Sequence, residues 1–140
     1  MKINLPLAIW FPRETMQDKL IHLNMNTTRN MHYHVLNKVK ELFKAHVEHE
    51  VMAFRKQWGD RYVLNPKSRM EFHYTIFPES NRAMDVMNPG SVIDKFTCDA
   101  LVQLGVIKDD NHKIISEFHF SFGGVDKENP RCELTIEPIA

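Results

Sequence analysis

An α/β (α+β) fold, a single domain with a mixed four-stranded sheet and two main helices, is predicted by three features of this 140-residue chain. Four short segments have the alternation or the flanking turns of strands, and two longer segments repeat apolar residues at helical spacing. No Pro-, Gly- or Ser-rich linker separates them. Because a chain of this length can bury most of its apolar surface in one core, we expect residues 1–140 to form one domain.

The predicted strands are bounded by turn residues. Residues 70–77 give the clearest case, because apolar and polar residues alternate there up to Pro78. The next strand carries three phenylalanines on one face, and Gly123-Gly124 after it favours a hairpin into the last strand. The four predicted strands are residues 3–10, 70–77, 114–122 and 132–137.

The first predicted helix covers residues 33–54, where apolar residues recur on one helix face, and it is expected to end at Trp58-Gly59. The polar run before it, residues 24–30, has neither a helical nor a strand period and predicts an ordered loop. The apolar positions of the helix are Leu36, Val39, Phe43, Val47, Val51 and Phe54.

The second predicted helix begins at Ser91, a favourable N-cap with Asp94 three residues later, and ends at Gly105 as a left-handed stop. Residues at spacings of four from Ser91 form its outward stripe. Lys95 and Asp99 lie on that stripe, so the lysine faces away from the core.

Composition excludes several classes of protein. The apolar segment 3–11 is too short and too interrupted for a signal peptide or a membrane span, so we expect a soluble, cytoplasmic protein. Cys98 and Cys132 lie far apart, which predicts reduced thiols and neither a disulfide framework nor a zinc site. Eighteen basic residues balance eighteen acidic ones, so any attraction for nucleic acid must come from local patches.

The histidines form no ligand set that the sequence reveals. His32 and His34 are two residues apart, His46 and His49 are three apart, and the metalloprotease pattern HExxH is absent. We therefore expect most histidines to be surface or satisfied core residues. P-loop, dinucleotide-binding and nucleophile-elbow motifs are also absent.

Two distant carboxylates are the best candidates for chemistry. Asp85 lies between a predicted strand and a predicted helix, and Asp110 lies just before the next strand, so both are expected at one edge of the sheet. Carboxylates that meet there can hold Mg²⁺ against a phosphodiester, and Lys95 could offset the charge on phosphorus.

A structural interpretation of the same residues stays open at this level. Asp85 is followed by Asn-Pro-Gly, and the Asp109-Asp110-Asn111 run is typical of a polar loop. Capping and the helix dipole already account for Asp94. The Lys95 and Asp99 pair has the spacing of a weak surface ion pair.

Three stretches of the second half nevertheless resemble the RusA family of Holliday junction resolvases, which are small phage and prophage endonucleases. The stretches are Asp85-Val-Met-Asn88, Asp94-Lys95-Phe-Thr-Cys-Asp99-Ala-Leu101 and Gly105-Val-Ile-Lys-Asp109-Asp110, followed by a terminal Glu-Leu-Thr-Ile-Glu strand. The resemblance implies a RusA-like domain and structure-selective cleavage of four-way DNA junctions in a bacterial host cell.

By position, the resemblance implies catalytic roles for Asp85, Lys95 and Asp110. The family binds metal through an Asp-x-Asp-Asn motif and the second aspartate of the DD pair, which places Asn88 beside Asp85 and Asp110 as a ligand. Met87 stands where the family has its middle aspartate, and a thioether cannot replace a hard oxygen ligand for Mg²⁺. Asp94 or the Asn88 carbonyl is expected to fill this place. The implied cofactor is Mg²⁺, with Mn²⁺ as a substitute.

The resemblance also implies branched DNA as a partner and a homodimer without membrane association. The DNA-binding residues it implies lie in an Asn/Arg-rich loop and the helix after it: Asn26, Arg29, Asn30, Lys38 and Lys40. Two alternatives remain. One is a junction-binding accessory protein that has lost turnover, and the other is a nuclease acting on flaps or other branched DNA.

Overall fold

The computed structural model describes residues 1–58 and 69–139, which form six strands and three helices. The strands are β1 (Lys2–Leu5), β2 (Ala8–Phe11), β3 (Lys19–His22), β4 (Met70–Phe77), β5 (Ile115–Phe122) and β6 (Arg131–Pro138). The helices are α1 (Met25–Arg29), α2 (Tyr33–Trp58) and α3 (Met87–Gln103). Gly59, expected at the end of the first main helix, lies outside the described residues.

The main sheet has four strands in the order β1-β6-β4-β5. Its central strand β4 pairs antiparallel with β6 and parallel with β5, so the sheet is mixed. Helices α2 and α3 pack against each other, and α2 also contacts β1. The predicted α/β architecture, with a mixed four-stranded sheet and two main helices, is confirmed.

The predicted hairpin between the last two strands is wrong. β5 and β6 lie on opposite sides of β4, and β6 pairs with β4 along its whole length, from Met70↔Pro138 to Phe77↔Arg131. Helix α3 instead connects β4 to β5 as a parallel crossover, which needs a connection of this length. The glycine pair after β5 begins a loop that returns the chain across β4.

The predicted first strand is two strands. Pro6 has no backbone donor and interrupts the pairing of β1 with β6 at Leu5. Beyond it, β2 pairs antiparallel with β3, from Ala8↔His22 to Phe11↔Lys19. Sequence reasoning assigned no element to β3, because its four residues are too few to show a period.

Alternation along β4 separates two faces of the sheet. Met70, Phe72, Tyr74 and Ile76 are buried, whereas the residues between them are only half-buried. The buried set meets the apolar faces of α2 and α3 in one core. The polar residues of β4 therefore lie on the outer face, away from the helices.

Helix α3 begins at Met87, four residues before the predicted N-cap Ser91. Pro89 is compatible with this start, because the first turn of a helix needs no backbone donors. Gly90 lets the first turn approach the sheet: a Cβ there would lie 2.8 Å from Cδ1 of Phe120. The predicted stop is confirmed, since Gly105 follows the helix with φ of +72°.

The polar run before α2 contains a short helix as well as loop. Asn24 caps α1, because its Oδ1 accepts a hydrogen bond of 2.8 Å from the backbone of Thr27. Side chains of α2 cover the outer edge of β1: Glu50 accepts from the backbone N of Asn4 at 3.1 Å, and His46 lies 3.2 Å from the Asn4 carbonyl. Within residues 1–58 and 69–139, no helix has the length and apolar character needed to cross a membrane.

Candidate active site

Asp94 is held against the sheet by two donors. The hydroxyl of Tyr74 on β4 donates a hydrogen bond of 2.7 Å to its Oδ1, and the Cys98 thiol lies 3.3 Å from the same oxygen. Burial raises the pKa of Asp94, and both hydrogen bonds oppose that rise. Burial likewise raises the pKa of Cys98, so this thiol stays protonated and is a donor. Asp94 is therefore an oriented, partly desolvated carboxyl group.

The charge of Asp110 also acts on Asp94 and adds to the effect of burial in raising its pKa. Lys95 is held on the exposed side by Asp99, whose Oδ1 accepts from its Nζ at 3.1 Å. Asp99 raises the pKa of Lys95 most, and Asp110 adds to the effect. We call Asp94, Lys95 and Asp110 the α3 acidic site. All three residues were predicted site residues, with Asp94 expected to take the place of the missing middle aspartate.

The predicted explanation of Asp94 as part of a helix cap is wrong. Since α3 begins at Met87, Asp94 lies about two turns into the helix, beyond the reach of the N-terminal dipole. Its raised pKa also runs against capping, which favours the charged carboxylate. The hydrogen bonds from Tyr74 and Cys98 account for its position instead, and Tyr74 was absent from the residues singled out by sequence.

Asp85 and Asn88 occupy a second place, at the N-terminus of α3. Oδ1 of Asp85 accepts from the backbone N of Met87 at 3.0 Å, and its carbonyl accepts from the N of Asn88 at 3.1 Å. Oδ1 of Asn88 accepts from the backbone N of Met25 at 2.9 Å, which ties α1 to α3. Both side chains therefore already orient the backbone of two helices.

A cavity of about 720 Å³ opens beside this place. Its lining combines Asp85 and Asn88 with Asn26 from α1, so two sequence-distant parts of the RusA resemblance meet in space. Arg82 and His22 also line it and were not anticipated from the sequence. This combination gives the cavity an acid, a permanent cation and amide groups.

The three aspartates do not share one compact ligand cluster. Within the described residues, a compact set of possible metal ligands is formed by Glu71, His73 and His119 instead. Their ligand atoms all lie within 4.8 Å of one another. Met87 and Asp94 are about 10 Å apart along the axis of α3, at 1.5 Å per residue. Asp85 accepts a hydrogen bond from the backbone N of Met87, whereas the charge of Asp110 acts on Asp94.

The expected strand flank of Asp110 is confirmed, because Asp110 lies in the loop before Ile115 opens β5. That of Asp85 is not. β4 ends at Phe77, as predicted, but residues 78–84 separate it from Asp85, which comes two residues before α3.

The predicted DNA-binding residues occupy three surfaces. Arg29 and Asn30 are exposed at the end of α1, whereas Asn26 faces the Asp85 cavity. Lys38 pairs weakly with Glu41, at 4.0 Å.

Lys40 lies elsewhere, with its Nζ 5.8 Å from the centre of the Phe96 ring in a groove between α2 and α3. Lys44, one turn further along α2, and Asp99 also line this groove. Lys44 was missed by sequence reasoning, although its spacing of four from Lys40 places it on the same helix face.

Comparison with known proteins adds no family assignment. No family model matches the chain, and no curated protein matches it. The RusA resemblance therefore stays a prediction from the motifs quoted above.

Proposed function

We propose that this protein is a metal-dependent, structure-selective endodeoxyribonuclease that resolves four-way DNA junctions with Mg²⁺, or Mn²⁺ in its place. The observation that supports the proposal most directly is the α3 acidic site, where Tyr74 orients the partly buried Asp94, Lys95 is the next residue of α3, and the charge of Asp110 acts on both of them. This is the residue chemistry that phosphodiester hydrolysis requires.

The donor set fits a hard divalent cation. Carboxylate oxygens are the ligands Mg²⁺ prefers, and a cation held by Asp94 and Asp110 would offset the charge of Asp110, which adds to the effect of burial on the pKa of Asp94. When bound, the metal ion supplies an activated water and stabilises the leaving oxygen. Asp85 and Asn88, which the resemblance adds, lie about 10 Å from Asp94 along α3 and would therefore hold a second ion, through the oxygen lone pairs that their backbone contacts leave free.

The chain's own residues position these groups. Tyr74 fixes the orientation of Asp94 from inside the core, so the carboxyl group does not need to be ordered when substrate binds. Asp99 holds the Lys95 ammonium beside Asp110, where it would offset negative charge on the phosphate. Position and electrostatics, rather than a covalent intermediate, would then carry the reaction.

The groove between α2 and α3 offers a path for the DNA backbone. Lys40 and Lys44 line it together with Glu41 and Asp99, and Asp99 in turn binds Lys95 of the α3 acidic site. Contacts from lysines to phosphate position a duplex without reading its sequence, which suits selection by DNA shape. Arg29 and Asn30, exposed on α1, would extend the contact surface toward the Asp85 cavity.

A four-way junction must be nicked twice, so the proposal includes a homodimer with two-fold symmetry that presents two α3 acidic sites. Sedimentation of the protein with junction DNA should give two protein chains per junction. A protein that sediments as a monomer both free and bound would contradict this part of the proposal.

The activity is tested by nicking of a synthetic four-way junction in Mg²⁺ and in Mn²⁺. Asp94→Asn and Asp110→Asn should each lower the nicking rate by about 10²- to 10³-fold, the range seen when a group that stabilises a developing charge is removed. Asp109→Asn is the matched control, because Asp109 is exposed and asparagine keeps the Oδ1 that accepts from the backbone N of Asp110. Equal activity of all three variants would overturn the site assignment.

One observation favours the accessory-protein alternative. Met87, at the place of the family's middle aspartate, is 45% exposed and offers no hard ligand to Mg²⁺. A gel shift without metal, run beside the nicking assay, separates the two functions: junction binding without nicking in either metal supports the accessory protein. Flap and fork substrates in the same assay detect a nuclease with a different preference.

A further inference from the structure

The tripeptide Glu-Phe-His occurs twice in the chain, at residues 71–73 in β4 and at residues 117–119 in β5. The two strands are parallel neighbours, and their register aligns the copies residue by residue, including Glu71↔Glu117 and His73↔His119. Two histidines and two glutamates are thereby brought to one place from positions 46 residues apart in sequence. Parallel pairing in register is what makes this possible, since an antiparallel pair would reverse one copy.

This cluster lies on the outer face of the sheet. The middle residue of the first copy, Phe72, is fully buried against the helices, so Glu71 and His73 point the opposite way. Tyr74, the next residue along β4, points inward to Asp94. The cluster is therefore separated from the α3 acidic site by the thickness of the sheet.

The ligand atoms of the cluster converge. Nε2 of His73 lies 3.0 Å from Oε1 of Glu71, and Nε2 of His119 lies 4.0 Å from Oε2 of Glu71 and 3.3 Å from Oε2 of Glu117. Ligand atoms of Glu71, His73 and His119 all lie within 4.8 Å of one another. Three donors from two strands thus surround one point.

The contact of His73 is not an ordinary hydrogen bond. Its Nε2 is buried and lies 3.0 Å from Oε1 of Glu71, a contact that is the main cause of the lowered pKa of Glu71, yet the alignment of the two atoms falls short of a good hydrogen bond. The nitrogen is aimed at the cluster without a well-aligned acceptor. A buried nitrogen in this situation is costly unless another group satisfies it.

We propose that Glu71, His73 and His119 bind a divalent transition-metal ion of the zinc type, with Glu117 or a water completing the coordination. Imidazole and carboxylate together suit Zn²⁺, and two histidines with one carboxylate leave a fourth position open. With Zn–N and Zn–O bonds of about 2.0–2.1 Å, ligand atoms of a tetrahedral site lie about 3.3 Å apart, so only modest movements are needed.

One such movement is defined by the structure. The rings of His73 and His119 are stacked, with centroids 4.4 Å apart and an angle of 5° between their planes. Lone pairs of parallel rings do not point at one atom, so metal binding requires the rings to turn toward each other. Rotation about the last torsion of histidine is soft, which makes this change inexpensive. The bound ion would tie the edge strand β5 to the central strand β4.

The test is titration of the metal-free, full-length protein with ZnCl₂ against a chromogenic zinc chelator. His73→Gln and His119→Gln should each weaken Zn²⁺ binding by more than about 100-fold, because even residues that only orient a ligand account for 10- to 100-fold. Glu117→Gln should weaken it less. His49→Gln is the matched control, since His49 is an exposed histidine on α2, away from the cluster.

Two further measurements distinguish a folding defect from the loss of a metal-coordinating side chain. Zn²⁺ should raise the thermal midpoint of the wild-type protein and of His49→Gln, and leave that of His119→Gln unchanged. Co²⁺ in place of Zn²⁺ should give the visible absorption of a four-coordinate ion. Wild-type binding no tighter than that of His73→Gln, or equal binding in His49→Gln and His119→Gln, would overturn the proposal. Neither readout depends on nuclease activity.

Discussion

The two faces of the main sheet carry two different kinds of polar chemistry. On the helix-covered face, a single hydroxyl from Tyr74 reaches through an apolar core to hold Asp94. On the outer face, Glu71, His73 and His119 gather at the solvent boundary without a helix above them among the described residues. The same strand supplies both sites from successive residues. A strand with one buried face can therefore supply polar side chains to two separate places, because alternation puts successive residues on opposite faces.

The largest expected effect tests which face carries the core. Phe72→Ala removes a fully buried ring from the helix-covered face, so the free energy of unfolding should fall by about 3–5 kcal/mol. Ser121→Ala, on the exposed outer face of β5, should change it by no more than about 0.5 kcal/mol. Urea denaturation measures both. Similar losses for the two variants would mean that the faces are not distinguished as described.

The second-largest effect is expected at Tyr74, whose hydroxyl donates a hydrogen bond to Asp94 of the α3 acidic site. Tyr74→Phe removes a donor from the partly buried Asp94 and should cost about 1–3 kcal/mol of unfolding free energy. In an Asp94→Asn background the same change should cost less, because a hydrogen bond to a charged acceptor is about twice as strong as a neutral one. A double-mutant cycle by denaturation gives the coupling. Zero coupling would contradict the contact.

A smaller effect is expected at the N-terminus of α3. Asn88→Ala removes the oxygen that accepts from the backbone of Met25, so it should destabilise the protein by about 0.5–2 kcal/mol, as the loss of a helix cap does. Asn111→Ala is a comparison on an exposed loop, where Oδ1 accepts from the backbone of Lys113. Amide exchange near Met25 should quicken only in Asn88→Ala. Unchanged exchange there would remove the link between α1 and α3.

The smallest effect is a difference in pH dependence. Because burial raises the pKa of Asp94, its contribution to stability is fully present at a pH below the ordinary aspartate range and is lost as the pH rises through the raised value. Asp94→Asn keeps a neutral side chain throughout. The unfolding free energy of this variant relative to wild type should therefore increase with pH across that window. A constant or falling difference, measured by urea denaturation, would contradict the burial of Asp94.

The fold was largely predictable from sequence, because β4 alternates clearly and α2 repeats its apolar residues over many turns. The start of α3 was not, because Pro89-Gly90 is typical of a turn, yet the missing donor of a proline costs nothing in a first helical turn. The strands that pair with β4 could not be predicted from a local pattern either. Two strands that follow each other in sequence, such as β5 and β6, suggest a hairpin, whereas the crossover through α3 makes β5 parallel to β4 and leaves β6 on the other side.

The residues of the candidate sites were likewise only partly predictable from the sequence. Asp110, Lys95 and Asp94 were all candidates from sequence, and the charge of Asp110 acts on the other two in the structure. The capping explanation of Asp94 was wrong because it depended on the start of α3, and the hydrogen bond from Tyr74 could not be foreseen from a local pattern. The histidine cluster was missed because searches for ligand sets use spacing along one element, whereas His73 and His119 meet through strand register. The repeated Glu-Phe-His was the available signal.

Gly90 has a consequence for how this chain can change. With the Phe120 ring only 2.8 Å from where a Cβ would lie, any side chain at this position would force either that ring or the start of α3 to move. A movement of the helix would carry Asn88 with it and so strain its hydrogen bond to the backbone of Met25 in α1. The absence of a side chain at residue 90 therefore helps to keep both the packing of α3 on β5 and the contact between the two helices.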